Sequence, residues 1–186
     1  MARPGSPGYG EGRDALLRAA ISVVARQGLR HLTYRAVAAE AGVTHGLVAH
    51  HFGSRDALIT EALRFAVERS VEITLMTGDT SDLAHFVEDL PQVIADDPDL
   101  QAFQFELTLE ARRNPDLQPL VAELYDRYRE ATTRELARFG IDDPLTADLV
   151  FAALDGLSFQ QVTLRGPGET RAALGRLIEL LRQLRP

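Results

Sequence analysis

Thr33, Arg35, Thr44, His45, Gly46, His50 and Arg55 lie within residues 33–55, and their types suit contact with a polyanion. Hydroxyls and the free N–H groups at a helix N-terminus bind phosphate oxygens, and Arg pairs with phosphate or, bidentately, with guanine. Thr33 and Arg55 fall at helix starts and are candidates for phosphate; Arg35 is a candidate for phosphate or a base. Thr44 and His45 open a short helix whose first residues can reach base edges, and His50 lies further along it. Gly46 lets the backbone come close to its partner. Double-stranded DNA is the partner this chemistry implies.

Presenting these groups requires two short helices that cross closely. Thr33 caps the first, Ala38 gives it a small contact side chain, and Gly42 supplies the positive-φ position of a tight turn. Thr44 caps the second, while Val37, Ala41, Val43 and Val48 fall where apolar side chains would fill the space beneath. A helical hairpin could carry any one of these residues. The whole set predicts a helix-turn-helix over residues 33–52. Ser54 caps the next helix, with Asp56 in its first turn.

Charge is distributed to match. The 186 residues carry a net charge of −7, yet residues 1–55 hold seven Arg against three acids and the remainder is strongly acidic. A basic head on an acidic body concentrates phosphate-binding charge in one place. All 20 basic residues are Arg, which a GC-biased genome explains without any functional role. The absence of Cys excludes disulfides and thiolate metal sites and is compatible with a cytoplasmic location. His31, His45, His50 and His51 cluster, but no pair has the i, i+3 or i, i+4 spacing of a helical metal site, so neither metal nor cofactor is expected. No apolar run reaches membrane-spanning length.

Helical periodicity runs through the chain, with no alternating strand pattern. Residues 1–10 read as a flexible arm, 11–65 as the helix-turn-helix domain and 66–186 as a ligand-binding and dimerisation domain. Gly28 is expected as a left-handed terminator of the first helix. Asp97-Pro98 and Asp143-Pro144 open later helices, and a single helix is expected from Ser81 or Asp82 to near Asp96. Nine helices result, an all-α fold.

The last helix repeats Leu174, Leu177, Leu181 and Leu184 at a period of about 3.5, and the one before it aligns Val150, Leu157, Gln161 and Leu164. These residues are expected to form a homodimer interface, a four-helix bundle with their symmetry mates. Phe65, Phe86, Phe103, Tyr125, Tyr128, Phe151 and Phe159, with Gln104 to orient a ligand, are candidates for a small-molecule effector pocket, although such aromatics also build plain core. No nucleophile elbow, phosphate-binding Gly loop or HExxH pattern is present, and His85 with Glu88 and Asp89 reads as a solvated helix face. Enzymatic function is not expected.

Residues 11–65 resemble the DNA-binding domain of the TetR family of bacterial transcriptional regulators. The resemblance is carried by Thr33, Val37, Ala38, Ala41-Gly42-Val43-Thr44, Gly46, His51-Phe52-Gly53-Ser54-Arg55 and Leu58. The nine-helix layout is similar as well, and the stretch from Phe105 to Pro115 resembles the betaine-regulator subgroup. The resemblance implies a homodimer on a palindromic operator, usually a repressor released by a small ligand in the C-terminal domain. One departure matters. Many members carry a basic residue and then a Tyr-Tyr pair in the recognition helix, where this chain has His45, Ala49 and His50. Operator sequence therefore does not transfer from relatives. A transcriptional activator, or a ligand-sensing or scaffold protein with a degenerate helix-turn-helix, remains an alternative.

Overall fold

The computed structural model describes residues 9–75 and 85–183, with side chains from 12 to 69 and from 87 to 183. The chain divides into two compact units, Met1–Ala66 and Val67–Pro186. The first contains α1 (Tyr9–Gln27), a 3-10 turn (Leu29–His31), α2 (Tyr34–Ala41), α3 (His45–Phe52) and the start of α4 (Arg55–Leu75). The second contains α5 (His85–Glu88), α6 (Leu90–Asp96), α7 (Pro98–Ala111), a 3-10 turn (Pro115–Leu117), α8 (Gln118–Arg138), α9 (Pro144–Thr163) and α10 (Pro167–Gln183). With α5 and α6 counted as one interrupted helix, the described residues form a nine-helix, all-α fold. Pro91 explains the interruption: it has no N–H to donate, and in a continuous helix its ring would clash with the carbonyl of Val87.

Capping chemistry places the helix starts. Thr33 Oγ1 accepts from Ala36 N at 3.1 Å, Ser54 Oγ from Ala57 N at 3.0 Å, and Asp97 Oδ1 from Leu100 N at 3.1 Å. Asp143 Oδ2 accepts from Thr146 Oγ1 at 2.6 Å and from Thr146 N at 2.9 Å, and these bonds hold its carboxyl below the usual carboxylate range. The caps at Thr33, Ser54 and Asp97 each stabilise their helix by about 1 kcal/mol. Thr44 makes no capping bond through its side chain.

Two of the four positive-φ glycines among the described residues shape the turns on either side of α2. Gly42 is left-handed, with φ 67° and ψ 31°, and lets Val43 N donate to Ala38 O at 2.9 Å, the bond that closes α2 onto the turn. Gly28 has φ 82° with ψ 159°, so it ends α1 in an extended, glycine-only conformation rather than the expected left-handed one.

The head's core joins Leu17, Ala20, Ile21 and Val24 of α1 to Val37 and Ala38 of α2, Val48 and Phe52 of α3, and Leu58 and Leu63 of α4. Val43, expected beneath the helices, is exposed because the turn carries it outward. In the second unit a core cluster gathers Val87, Leu136, Phe139, Ile141, Ala147, Val150, Leu174, Ile178 and Leu181, with Leu157 and Leu177 partly buried against it.

That cluster takes up part of the expected dimer surface. Val150, Leu174 and Leu181 close their own unit's core, and Gln161 Nε2 donates to Pro91 O at 2.7 Å, tying α9 to α6. Leu164 is exposed beyond the end of α9, and Leu184 lies outside the described residues. A period of 3.5 marks a helix that packs lengthwise but does not say whether its partner belongs to the same chain. The apolar face left uncovered on α9 is a different one. It carries Leu145 (71% exposed) and Leu149 (72%), then Ala152, Gly156 and Phe159, again at alternating steps of four and three.

Candidate nucleic-acid interface and effector site

Burying Val48 and Phe52 aims α3's opposite side outward. Gly46 and His50 are exposed there, and Thr44 and His45 are exposed at the start of the helix. Leu47 joins them at 40% exposure, a residue the sequence reading passed over. Its position opposite the Val48–Phe52 face was the available signal. His51 is half-buried, its ring 6.1 Å from that of Phe52 and 5.9 Å from that of His50.

The head's arginines divide by partner. Arg13 pairs with Glu61 and lies 5.7 Å over the Phe52 ring. Arg26 reaches Glu40 at 3.5 Å, and Arg18 lies 5.4 Å over Phe65. Arg55 donates from Nε to Leu32 O at 2.9 Å and from Nη2 to Leu29 O at 2.7 Å. These bonds bolt the start of α4 to the turn that precedes α2, at the residue expected to clamp phosphate. Arg30 and Arg35 are exposed, and among the described residues no hydrogen bond, ion pair or ring contact engages them. Arg35 lies in the first turn of α2, beside Thr33.

In the second unit, four of the expected pocket residues come together. The Tyr125 and Phe151 rings meet edge-on at 5.7 Å, Tyr128 stacks on Phe151 at 6.4 Å, and Tyr128 OH donates to Gln104 Oε1 at 3.1 Å. Phe103 is fully buried, and Phe159 meets Phe105 edge-on at 5.2 Å on a more exposed part of α9. Phe65 belongs to the head unit, and the Phe86 side chain lies outside those described.

Sequence reasoning missed Asp155 and Arg129. Tyr125 OH faces Asp155 Oδ2 at 3.5 Å, and the Arg129 guanidinium lies 5.8 Å from the Tyr125 ring centroid and 5.5 Å from that of Phe151. A carboxylate inside an apolar stretch of α9 was the signal. Burial raises the Asp155 pKa above the ordinary carboxyl value, against the opposing pull of the Tyr125 hydroxyl and Arg129. Burial and the Asp155 charge likewise raise that of Tyr125.

A raised folded-state pKa means that the folded protein binds the Asp155 proton more tightly than the unfolded chain does. This contribution to stability is full in acid and is lost as pH rises through the folded pKa. Asp155→Asn is therefore expected to raise the melting temperature at neutral pH, with the gain vanishing below the ordinary carboxyl value of about 4. An equal loss at every pH would refute this assignment.

Among the described residues, no group of three His, Cys, Asp or Glu side chains could hold a metal ion, and no helix is long and apolar enough to cross a membrane.

A helix-turn-helix head with an outward polar face, followed in sequence by a helical unit, defines a transcriptional regulator of the DNA-binding class. Comparisons narrow the class. Residues 16–62 match "Bacterial regulatory proteins, tetR family", and residues 78–180 match "Tetracyclin repressor-like, C-terminal domain". The chain belongs to the TetR family of bacterial transcriptional regulators, DNA-binding proteins with a ligand-sensing C-terminal domain, and is not an enzyme.

It is 30% identical over 130 residues to the nicotine-responsive transcriptional repressor HdnoR of Paenarthrobacter nicotinovorans, covering 67% of this chain and 66% of that protein. Similarity to the regulator BetI of Stenotrophomonas maltophilia is 36% over 52 residues, 28% of this chain and 26% of that one. A TetR-family structure from Streptomyces coelicolor superposes with a TM-score of 0.70 at 31% identity, over 90% of this chain and 98% of that one.

Proposed function

We propose that the protein is a homodimeric repressor that binds a palindromic operator through α3 and is released by a small molecule in its C-terminal unit. The carrying observation is the exposed start and outward face of α3, where Thr44 and His45, then Gly46, Leu47 and His50, stand exposed close in sequence to the unengaged Arg35. Thr33, Arg35 and the α2 N-terminus grip phosphate, while Thr44, His45 and His50 reach base edges. Leu47 offers an apolar surface that suits a thymine methyl. Arg55 holds the frame rather than the phosphate. HdnoR is named for its response to nicotine, which favours the repressor reading without supplying this chain's effector. The 52 residues shared with BetI are too few to assign that subgroup's ligand.

Two copies related by a twofold axis meet through the uncovered α9 face at Leu145, Leu149, Ala152 and Phe159, in place of the core-facing leucines of α10. Small residues at Ala152 and Gly156 let two helices approach closely.

Binding to fragments of the protein's own upstream region, measured across a salt series, tests the reading. A specific complex whose affinity falls steeply with salt is expected. Weak binding that is equal on all fragments would favour a degenerate helix-turn-helix, toward which the loss of a phenol at Ala49 points. His45→Ala is expected to relax preference at particular operator positions, costing about 1–3 kcal/mol there; a uniform loss over all sequences would remove its base-reading role.

A further inference from the structure

The reading of the second unit as an effector domain is the ground for a narrower statement about effector chemistry. We propose that the surface formed by Tyr125, Tyr128, Phe151 and Asp155 binds a small organic cation of the alkylammonium class, and that Arg129 fills this place when no effector is bound. The Arg129 guanidinium carbon lies 5.8 Å from one ring centroid and 5.5 Å from the other, so a positive charge already occupies the site. Asp155 follows Phe151 by one helical turn, on the same side of α9, and is joined to Tyr125 through the phenol. Aromatic faces plus one carboxylate are the elements that recognise a charge spread over alkyl groups.

Other ligand classes fit less well. A carboxylate would meet Asp155 directly. An uncharged ligand that displaced Arg129 would leave Asp155 half-buried without a cation. A hard metal ion needs about six oxygen donors, and here a single carboxylate faces rings. Arg129 also has somewhere to go. Its other partners, Asp126 at 3.2 Å and Asp148 at 3.9 Å, are both largely exposed and can keep the guanidinium at the surface once the rings are taken.

Calorimetric titration of the full chain with tetramethylammonium tests this, with tert-butanol and pivalate as neutral and anionic probes of similar shape. Tetramethylammonium alone is expected to bind. Arg129→Ala should bind it several-fold more tightly, because the resident cation is gone, and Asp155→Asn about tenfold more weakly. Tyr125→Phe keeps the ring and should keep affinity, whereas Tyr125→Leu should lose it; thermal melts show that each variant folds. Equal or better binding of tert-butanol or pivalate, or tetramethylammonium binding unchanged in both Asp155→Asn and Tyr125→Leu, overturns the proposal. Silence from all three probes overturns the cation assignment alone. The effector reading itself falls only if no compound from a broad library shifts either the melting of the chain or its affinity for DNA.

Discussion

Leu149→Arg is expected to leave the protein a folded monomer with operator binding of half-site strength, if two copies pair through the outer face of α9 as proposed. Leu149 is 72% exposed, so an Arg there has room and solvent in the isolated chain, and the helical signal and melting cooperativity should survive. In the dimer the same Arg enters an apolar helix–helix contact without a partner. An uncompensated buried charge costs about 3 kcal/mol or more, and a twofold interface contains it twice. Dimer dissociation should strengthen by about four orders of magnitude. Sedimentation velocity reads the outcome directly. Leu177→Arg is the contrasting variant: it strikes a side chain partly buried against the unit's own core and should lower the melting temperature of the unit. A Leu149→Arg protein that remains dimeric would remove α9's outer face from the interface.

The contrast between these two leucines shows what was legible in the sequence. Local rules placed the helix starts, because Thr33, Ser54, Asp97 and Asp143 satisfy nearby N–H groups whatever surrounds them. Gly42 was legible because a left-handed turn is costly for any residue with a Cβ. The surface of α9 was harder, since Val150 and Leu149 are equally apolar and only the placement of the surrounding helices decides which is buried. The break at Asp89 followed from Pro91 and was readable in principle. The role of Arg55 was not, because its carbonyl partners, Leu29 and Leu32, lie more than twenty positions away in sequence. Position at a helix start suggested phosphate; tertiary structure supplied two backbone acceptors instead. The Tyr125–Asp155 pairing was hidden for the same reason, being a contact between α8 and α9.

Arg35 and Arg55 should separate cleanly when each is replaced by Ala. Arg35 is exposed and engages no partner among the described residues, so its loss leaves the folded head unchanged. If it neutralises a phosphate, Arg35→Ala weakens binding to every DNA sequence and lowers the slope of log affinity against log salt by about one, at constant melting temperature. Arg55→Ala leaves the Leu29 and Leu32 carbonyls without their charged donor, a loss on the order of 2 kcal/mol that lowers the melting temperature by several degrees. Its affinity for DNA should fall because the turn before Thr33 loosens, while the salt slope stays unchanged. Arg55→Lys should rescue little, since one ammonium does not reproduce a planar fork reaching two carbonyls. The opposite pattern, a reduced slope with unaltered stability for Arg55→Ala, would return that residue to the phosphate backbone and leave Arg35 as a solvated surface charge.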